Sequence, residues 1–202
     1  MTFWIQTNSG RPYFYGCDPR DPGGLGLPQP LDVQRDIVTP LSRLVRFLGH
    51  TTSPWSVAAH SVIGSVIAER AMNDRALARL FLWHDASEAL VGDVPSPLKA
   101  LLGGYKDIEN RAALDAWTAA GVDIEAMALR ARDVKRLDVI MLHAEHRVLQ
   151  APEPEPWTDP PDDRDDWPVN RAAVLVAGAV YEGAGWGERA RMEFMQRMED
   201  LK

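Results

Sequence analysis

The feature that most constrains the fold is a helical periodicity that begins at Asp36. Apolar residues recur from there at three- and four-residue steps, which is the period of an amphipathic α-helix. In the first such stretch, "VTPLSRLVRFL", these positions are Leu41, Leu44, Val45 and Leu48. The same spacing returns in "SPWSVAAHSVIGSVIAERAM", "RALARLFLWHDASEAL", "YKDIENRAALDAWTAAG", "EAMALRARDVKRLDVIMLHAEHRVL", "VNRAAVLVAGAVYEGAG" and "GERARMEFMQRMEDL". The sequence therefore predicts an all-α helical bundle, in which Ser53 caps the second helix before Pro54.

The ends of the chain depart from this pattern. "FWIQT" and "PYFYG" are β-prone and flank the turn signal "NSG", which predicts a small N-terminal β-hairpin. The Pro- and Gly-rich "CDPRDPGGLGLPQP" that follows predicts a loop. We therefore expect a hairpin and loop over 1–35 and a helical core over 36–150. An acidic Pro-rich loop over 151–169 and C-terminal helices over 170–202, packed on the core, complete the prediction.

Composition excludes several classes of protein. The chain has 202 residues, enough for one domain with a real core, and a net charge of −7. Such an acidic chain argues against binding a nucleic acid polymer, which needs a basic face. Cys17 is the single cysteine, which fits a reducing compartment, and the N-terminus resembles no signal peptide. The apolar run "AAVLVAGAVY" is about half of a membrane span, so we expect a cytoplasmic protein.

Polar residues interrupt the third helical stretch, in "LFLWHDASEALVGDVPSP". If this stretch is one helix, His84, Asp85 and Glu88 lie on one side of it, in line with Phe81. That side is predicted to be buried. A buried carboxylate is costly unless it is paired or binds a metal. Either a His–Asp hydrogen bond inside the core or a metal site would satisfy these groups.

Two further helices carry ligand-type residues on faces that are predicted to be buried. His60 lies on the apolar face of the second helix. Asp138 lies in the apolar stripe of the helical stretch "DVKRLDVIMLHAEHRVL". Each alone fits a core residue with a hydrogen-bond partner. Together with His84 and Asp85, however, they can meet in the centre of a bundle, where imidazoles and carboxylates suit a divalent transition metal. Glu145 shares the stripe of Asp138 but is nearer the helix end, so we expect it to reach water.

The order His, His-Asp, Asp resembles that of the HD-domain phosphohydrolase superfamily. The stretch "WHDASEALVGDVPSPLK" is similar to the HDxSExxxGDxPxPxK segment of bacterial 5′-deoxynucleotidases, the YfbR-like group. "SRLVRF", "SVAAHS", "YKDIEN" and "VKRLD" also match that group, so the resemblance spans residues 40–150. Phage dATP triphosphohydrolases share the same small HD scaffold.

The resemblance implies a role for each matching residue. The implied metal ligands are His60, His84, Asp85 and Asp138. Glu88 matches the carboxylate that handles the attacking water, which makes it catalytic together with Asp85. Arg46 matches a phosphate-binding arginine, Asp93 the residue that contacts the sugar 3′-hydroxyl, and Lys99 a substrate-binding lysine. The implied cofactor is a divalent ion, with Co²⁺, Mn²⁺ or Zn²⁺ favoured over Mg²⁺.

The expected activity is hydrolysis of a deoxyribonucleoside monophosphate to deoxynucleoside and phosphate. One alternative is a dNTP triphosphohydrolase that releases triphosphate, and another is a non-catalytic HD module that senses nucleotides. The resemblance also implies a homo-oligomer that binds a small nucleotide as its substrate. We expect it to bind neither a membrane nor a nucleic acid polymer.

The sequence departs from the deoxynucleotidase pattern close to the expected site. Phe47 stands where that group often has Trp, and Ala59 stands where it has Glu. The second change removes a possible hydrogen-bond acceptor for a metal-binding histidine. Trp55, Trp83 and Trp117 are expected to belong to the core rather than to stack on a base.

Overall fold

The computed structural model describes residues 3–15, 29–152 and 167–202, and within them it confirms an all-α fold with a small N-terminal β-hairpin. The helices are α1 (Thr39–Arg43), α2 (Val57–Arg70), α3 (Arg75–Trp83), α4 (Glu88–Val91), α5 (Ser96–Lys99), α6 (Tyr105–Ala120), α7 (Ile124–Leu129), α8 (Ala131–Leu149), α9 (Trp167–Tyr181) and α10 (Gly187–Asp200). A π-helical turn, Val33–Val38, leads into α1, and a tight turn, Arg46–Gly49, follows it. Within the described residues, no helix combines the length and apolar character that crossing a membrane requires.

Some boundaries differ from those expected. Helix α9 begins at Trp167, inside the predicted 151–169 loop, and the π-helical turn begins at Val33, inside the predicted 1–35 segment. The short helix α5 lies where a loop was expected. The Pro- and Gly-rich loop with Cys17, apart from its last two residues, and most of the acidic loop lie outside the described residues.

The predicted hairpin forms and is attached to the helices. Strands β1 (Trp4–Gln6) and β2 (Pro12–Phe14) pair antiparallel across the expected turn. The backbone N–H of Ser9 donates to the Asp36 carboxylate at 2.7 Å, and the hydroxyl of the buried Tyr13 donates to Asp115 at 3.1 Å. These contacts hold the hairpin against the π-helical turn and α6.

Helix α2 is the centre of the bundle, since it contacts α1, α3, α8, α9 and α10 and is buried on nearly all sides. Its N-cap is Ser56, whose hydroxyl accepts from the Ala59 N–H at 3.1 Å, so the prediction of Ser53 was wrong. The chain before Ser56 stays extended because it pairs with the segment around Val45. The Arg46 N–H donates to the Trp55 carbonyl at 2.8 Å within this pairing, which brings Arg46 beside the start of α2.

The predicted third helix is broken at His84. Helix α3 ends at Trp83, a tighter turn follows, and α4 begins at Glu88. Side chains compete for the carbonyls that a continuous helix would use: His84 Nδ1 lies 2.7 Å from the Phe81 carbonyl, and Trp117 Nε1 donates to the Trp83 carbonyl at 2.8 Å. The prediction of one continuous helix through Leu90 was therefore wrong.

Candidate metal centre

The structure brings together the four residues predicted as metal ligands: His60, His84, Asp85 and Asp138. Each offers one ligand atom, and these atoms lie within 4.8 Å of one another. His60 Nε2 is 3.4 Å from an Asp138 oxygen, and His84 Nε2 is 3.1 Å from an Asp85 oxygen. The candidate ligands come from the middle of α2, the turn directly after α3 and the middle of α8, which meet at this point.

The hydrogen bonds of the two histidines direct one nitrogen of each ring to the cluster. His84 Nδ1 faces a carbonyl, which only accepts, so this nitrogen carries the hydrogen. His60 Nδ1 lies 2.7 Å from the Glu145 carboxylate and donates in the same way. Both Nε2 atoms are buried and make no hydrogen bond. In this tautomer each Nε2 presents a lone pair, which is what a metal ligand requires.

The carboxylates of the cluster attract positive charge to these nitrogens. Burial alone would lower the pKa of His84, but Asp85 and Asp138 outweigh burial and raise that pKa to about 10. Burial acts to raise the pKa of Asp138, yet His60 and His84 hold it well below its usual range. A proton or a divalent ion can supply the attracted charge, and metal binding would replace such protons. The donor set therefore fits a metal ion.

Packing of α3 on α2 places the His84 ring. Gly64 faces Phe81 so closely that a Cβ atom there would lie 2.0 Å from the Phe81 ring. The absence of a side chain lets that ring reach the α2 backbone. Phe81 then stacks on His84, with ring centroids 4.1 Å apart. Gly64 thus contributes to the position of His84, a candidate ligand that follows another helix.

Glu145 lies at the centre of a buried network, which corrects the expectation that it reaches water. Its side chain is fully buried and accepts three hydrogen bonds: from Arg46 Nε at 2.9 Å, Trp55 Nε1 at 2.8 Å and His60 Nδ1 at 2.7 Å. Burial acts to raise its pKa, but Arg46 and His60 outweigh burial and lower it. Glu145 is thus an anion that orients the candidate ligand His60, a role that Ala59 cannot fill because it has no side-chain acceptor.

The residues predicted to handle water and phosphate lie beside the cluster. Arg46 is nearly buried, and its Nη1 is 3.7 Å from an Asp85 oxygen. Glu88 is 6% exposed, and its Oε2 has no hydrogen-bond partner. Burial, reinforced by Asp85 and Asp93, raises the pKa of Glu88 well above its usual range. Burial also raises the pKa of Asp93, while the charge of Arg46 opposes that shift.

Lys99 is the predicted site residue with the least direct access to the cluster. Its ammonium pairs with Glu109 at 2.5 Å, and its charge also acts on Glu88. It lies 5.9 Å from the centre of the Tyr105 ring. The Tyr105 hydroxyl is buried and makes no hydrogen bond, although the ring is partly exposed. Sequence reasoning missed Tyr105, whose only signal was its place in "YKDIEN".

Comparison with known proteins places the chain among relatives of its own length. No protein-family model matches it. It is 32% identical to the protein YfdR of Escherichia coli K12 over 203 aligned positions, which cover 100% of this chain and 96% of YfdR. The chain belongs to the YfdR family. The chain is also 32% identical to RCAP_rcc00048 of Rhodobacter capsulatus over 126 residues, which cover 58% of this chain and 63% of that protein. Both relatives are named as uncharacterized proteins.

Proposed function

We propose that this chain is a metal-dependent phosphohydrolase of the HD-domain type that hydrolyses deoxyribonucleoside 5′-monophosphates. The observation that carries the proposal is the pair of buried, unbonded Nε2 atoms of His60 and His84, which converge with Asp85 and Asp138. A structural core histidine would use both ring nitrogens. The resemblance to 5′-deoxynucleotidases supplies the substrate class.

The donor set favours Co²⁺, Mn²⁺ or Zn²⁺ over Mg²⁺, because imidazole nitrogens suit transition metals and Mg²⁺ prefers oxygen. When bound, such an ion polarises a phosphoryl oxygen and makes water more acidic. Arg46 supports the reaction by neutralising charge on the phosphoryl group. Asp93 accepts a hydrogen bond from the sugar 3′-hydroxyl.

Glu88 is the group that moves the proton. Its unbonded Oε2 accepts a proton from the attacking water, whose oxygen forms the new bond to phosphorus. The bond between phosphorus and the sugar 5′-oxygen breaks, and that oxygen takes the proton that Glu88 removed from the water and leaves as the deoxynucleoside. The second product is inorganic phosphate. Burial suits Glu88 to this task, since its raised pKa lets it exchange a proton closer to neutral pH.

The charges around the cluster favour a monophosphate over a triphosphate. Arg46, Lys99 and Lys135 each face a carboxylate already: Glu145 at 2.9 Å, Glu109 at 2.5 Å and Asp138 at 2.7 Å. Glu88 and Asp93 add further carboxyl groups on the same side as Arg46. A triphosphate would need cations to balance its added charge. The dNTP triphosphohydrolase therefore stands as the second candidate, and release of triphosphate would identify it.

A metal and substrate panel tests the proposal. The protein is freed of metal and then assayed with Mn²⁺, Co²⁺, Zn²⁺ or Mg²⁺ against dNMPs, NMPs and dNTPs, with products separated by chromatography. We expect phosphate from dNMPs only, with activity lost in EDTA and in Asp85→Ala. Asp133→Ala is the matched control, because Asp133 is an exposed acid on α8 that pairs with Arg130. Metal binding by calorimetry without turnover of any substrate would contradict catalysis and support the sensing module.

Tyr105→Phe is expected to lower kcat/KM for a dNMP about tenfold, the order expected for loss of a hydrogen bond to a charged group. We infer that the Tyr105 hydroxyl donates to the substrate, because it is buried and has no protein partner. The variant should retain or gain thermal stability, since a buried unsatisfied hydroxyl is removed.

Tyr13→Phe is the matched control for this prediction. The Tyr13 hydroxyl is buried but bonded to Asp115, so its loss should lower the melting temperature and leave kcat/KM unchanged. Equal kcat/KM for Tyr105→Phe and the wild type would show that the Tyr105 hydroxyl does not contact substrate.

A further inference from the structure

A cavity of about 420 Å³ opens beside the metal cluster, on the side formed by α6, α7 and α8. His84 and Asp138 contribute to its wall, which makes it continuous with the cluster. Much of the remaining wall is apolar and includes Trp117, Ile124 and Val134. Its volume lies within the range of about 300–1,000 Å³ that is typical of small-molecule sites.

The cavity wall offers shape and apolar surface rather than hydrogen bonds. The Trp117 N–H is already donated to the Trp83 carbonyl, so the Trp117 ring presents only apolar surface. Lys135 lines the cavity but pairs with Asp138 at 2.7 Å. Neither Arg46 nor Glu88 is part of the wall. The groups to which we assign the phosphate chemistry therefore lie outside this largely apolar cavity.

We propose that this cavity binds the nucleobase of the substrate, with Trp117 as a stacking surface. The proposal rests on the function proposed above and assigns a location to the part of the nucleotide that the polar side does not bind. A nucleotide has an anionic end and a flat base with apolar faces, which match the polar groups near the cluster and the apolar wall of the cavity. Every base has a π-face, so an aromatic side chain can bind it without reading its edges. Trp117 is thus only partly a core residue, whereas Trp55 and Trp83 are buried as expected.

Ala131 and Ala128 provide a way to fill the cavity without disturbing the core, because both line it and both are exposed. Ala131→Leu and Ala128→Leu place extra carbon atoms in the space assigned to the base. Ala177→Leu is the matched control, since Ala177 is an exposed alanine on α9 that is not part of the cavity wall. Circular dichroism melts establish that the three variants fold.

The first measurement is binding of deoxyadenosine to the metal-free protein by calorimetry. This probe lacks phosphate and so reports the cavity without metal or turnover. We expect each filling variant to bind deoxyadenosine about tenfold more weakly than the wild type, the effect of losing a stacked base. Ala177→Leu should bind it like the wild type. Equal binding by wild type and both filling variants would overturn the proposal.

The second measurement compares dAMP with 2-deoxyribose 5-phosphate, which is the same phosphate ester without a base. In the metal-loaded protein, the filling variants should lower kcat/KM for dAMP about tenfold and leave that for the base-free ester unchanged. Equal loss with both esters would overturn the proposal, because it would place the effect at the cluster. Deoxyadenosine binding that the variants weaken, without hydrolysis of either ester, would support the cavity and contradict the hydrolase. Hydrolysis of both esters at wild-type rates by the filling variants would support the hydrolase and contradict the assignment of the cavity.

Discussion

Glu145→Ala is expected to lower the free energy of unfolding by about 3–5 kcal/mol, the usual result of removing one partner of a buried ion pair. The substitution leaves the Arg46 guanidinium nearly buried and removes the acceptor of the Trp55 N–H. It also removes the acceptor of His60 Nδ1, so no hydrogen bond to Glu145 fixes the tautomer in which the Nε2 lone pair faces the cluster. Urea unfolding monitored by tryptophan fluorescence measures the loss.

Glu145→Gln separates the charge of this residue from its shape. Three donors face the two carboxylate oxygens, so the amide nitrogen of Gln must face at least one of them. We expect a smaller loss of stability and a metal affinity about 10–100-fold weaker, as for other residues that orient a ligand histidine. Calorimetric titration with Mn²⁺ measures the affinity.

Glu188→Ala serves as the control for both Glu145 variants, because Glu188 is exposed and pairs with Arg191 on the protein surface. It should change neither the unfolding curve nor metal binding. Wild-type stability in Glu145→Ala would mean that water or another residue satisfies Arg46 as well as Glu145 does.

Glu88→Gln is expected to lower kcat by about 10²–10⁴-fold, the usual contribution of a general acid or base. Gln has nearly the same shape but cannot take a proton. Because burial raises the pKa of Glu88, wild-type kcat should rise with pH through an ionisation above the ordinary range of a glutamate. The variant should lose that dependence. Glu125→Gln, at an exposed position on α7, controls for the loss of one surface charge.

The same substitution should alter how stability depends on pH. A carboxyl whose pKa is raised on folding contributes stability below its unfolded pKa, and this contribution is lost as pH rises through the folded pKa. Gln carries no such dependence, so Glu88→Gln should melt at a higher temperature than the wild type at alkaline pH. An unchanged kcat in Glu88→Gln would remove this residue from the mechanism, whatever the melting curves show.

The inward position of the candidate ligands could be predicted from the sequence because its logic is local, whereas the resemblance implied their role as ligands. His60, His84 and Asp138 each lie on the apolar face of a helical pattern, and helical period determines which residues share a face. Patterning also predicted the hairpin, since "NSG" between two β-prone segments acts over a few residues. Asp85 followed from its neighbour in the His-Asp pair.

What sequence patterns could not show depends on groups that are far apart in the chain. One of the two side-chain contacts at the break of the third helix comes from Trp117, a residue of another helix that donates to the Trp83 carbonyl. The same separation explains why the burial of Glu145 was not predicted. Its partners Arg46 and His60 lie on other elements, and its position near the helix end alone indicated contact with water. The cavity arises only where α6, α7 and α8 meet.

By itself, then, the sequence determined the helical class, the hairpin and the inward position of the residues of the candidate metal cluster, because periodicity and turn chemistry act between near neighbours. The tertiary structure alone decided which nitrogen of each histidine is free, that Glu145 is a buried anion, and that an apolar cavity adjoins the cluster. Hydrogen-bond partners and cavity walls depend on how helices pack. Helix packing depends on contacts between segments that are far apart in the chain, and a local sequence pattern does not show these contacts.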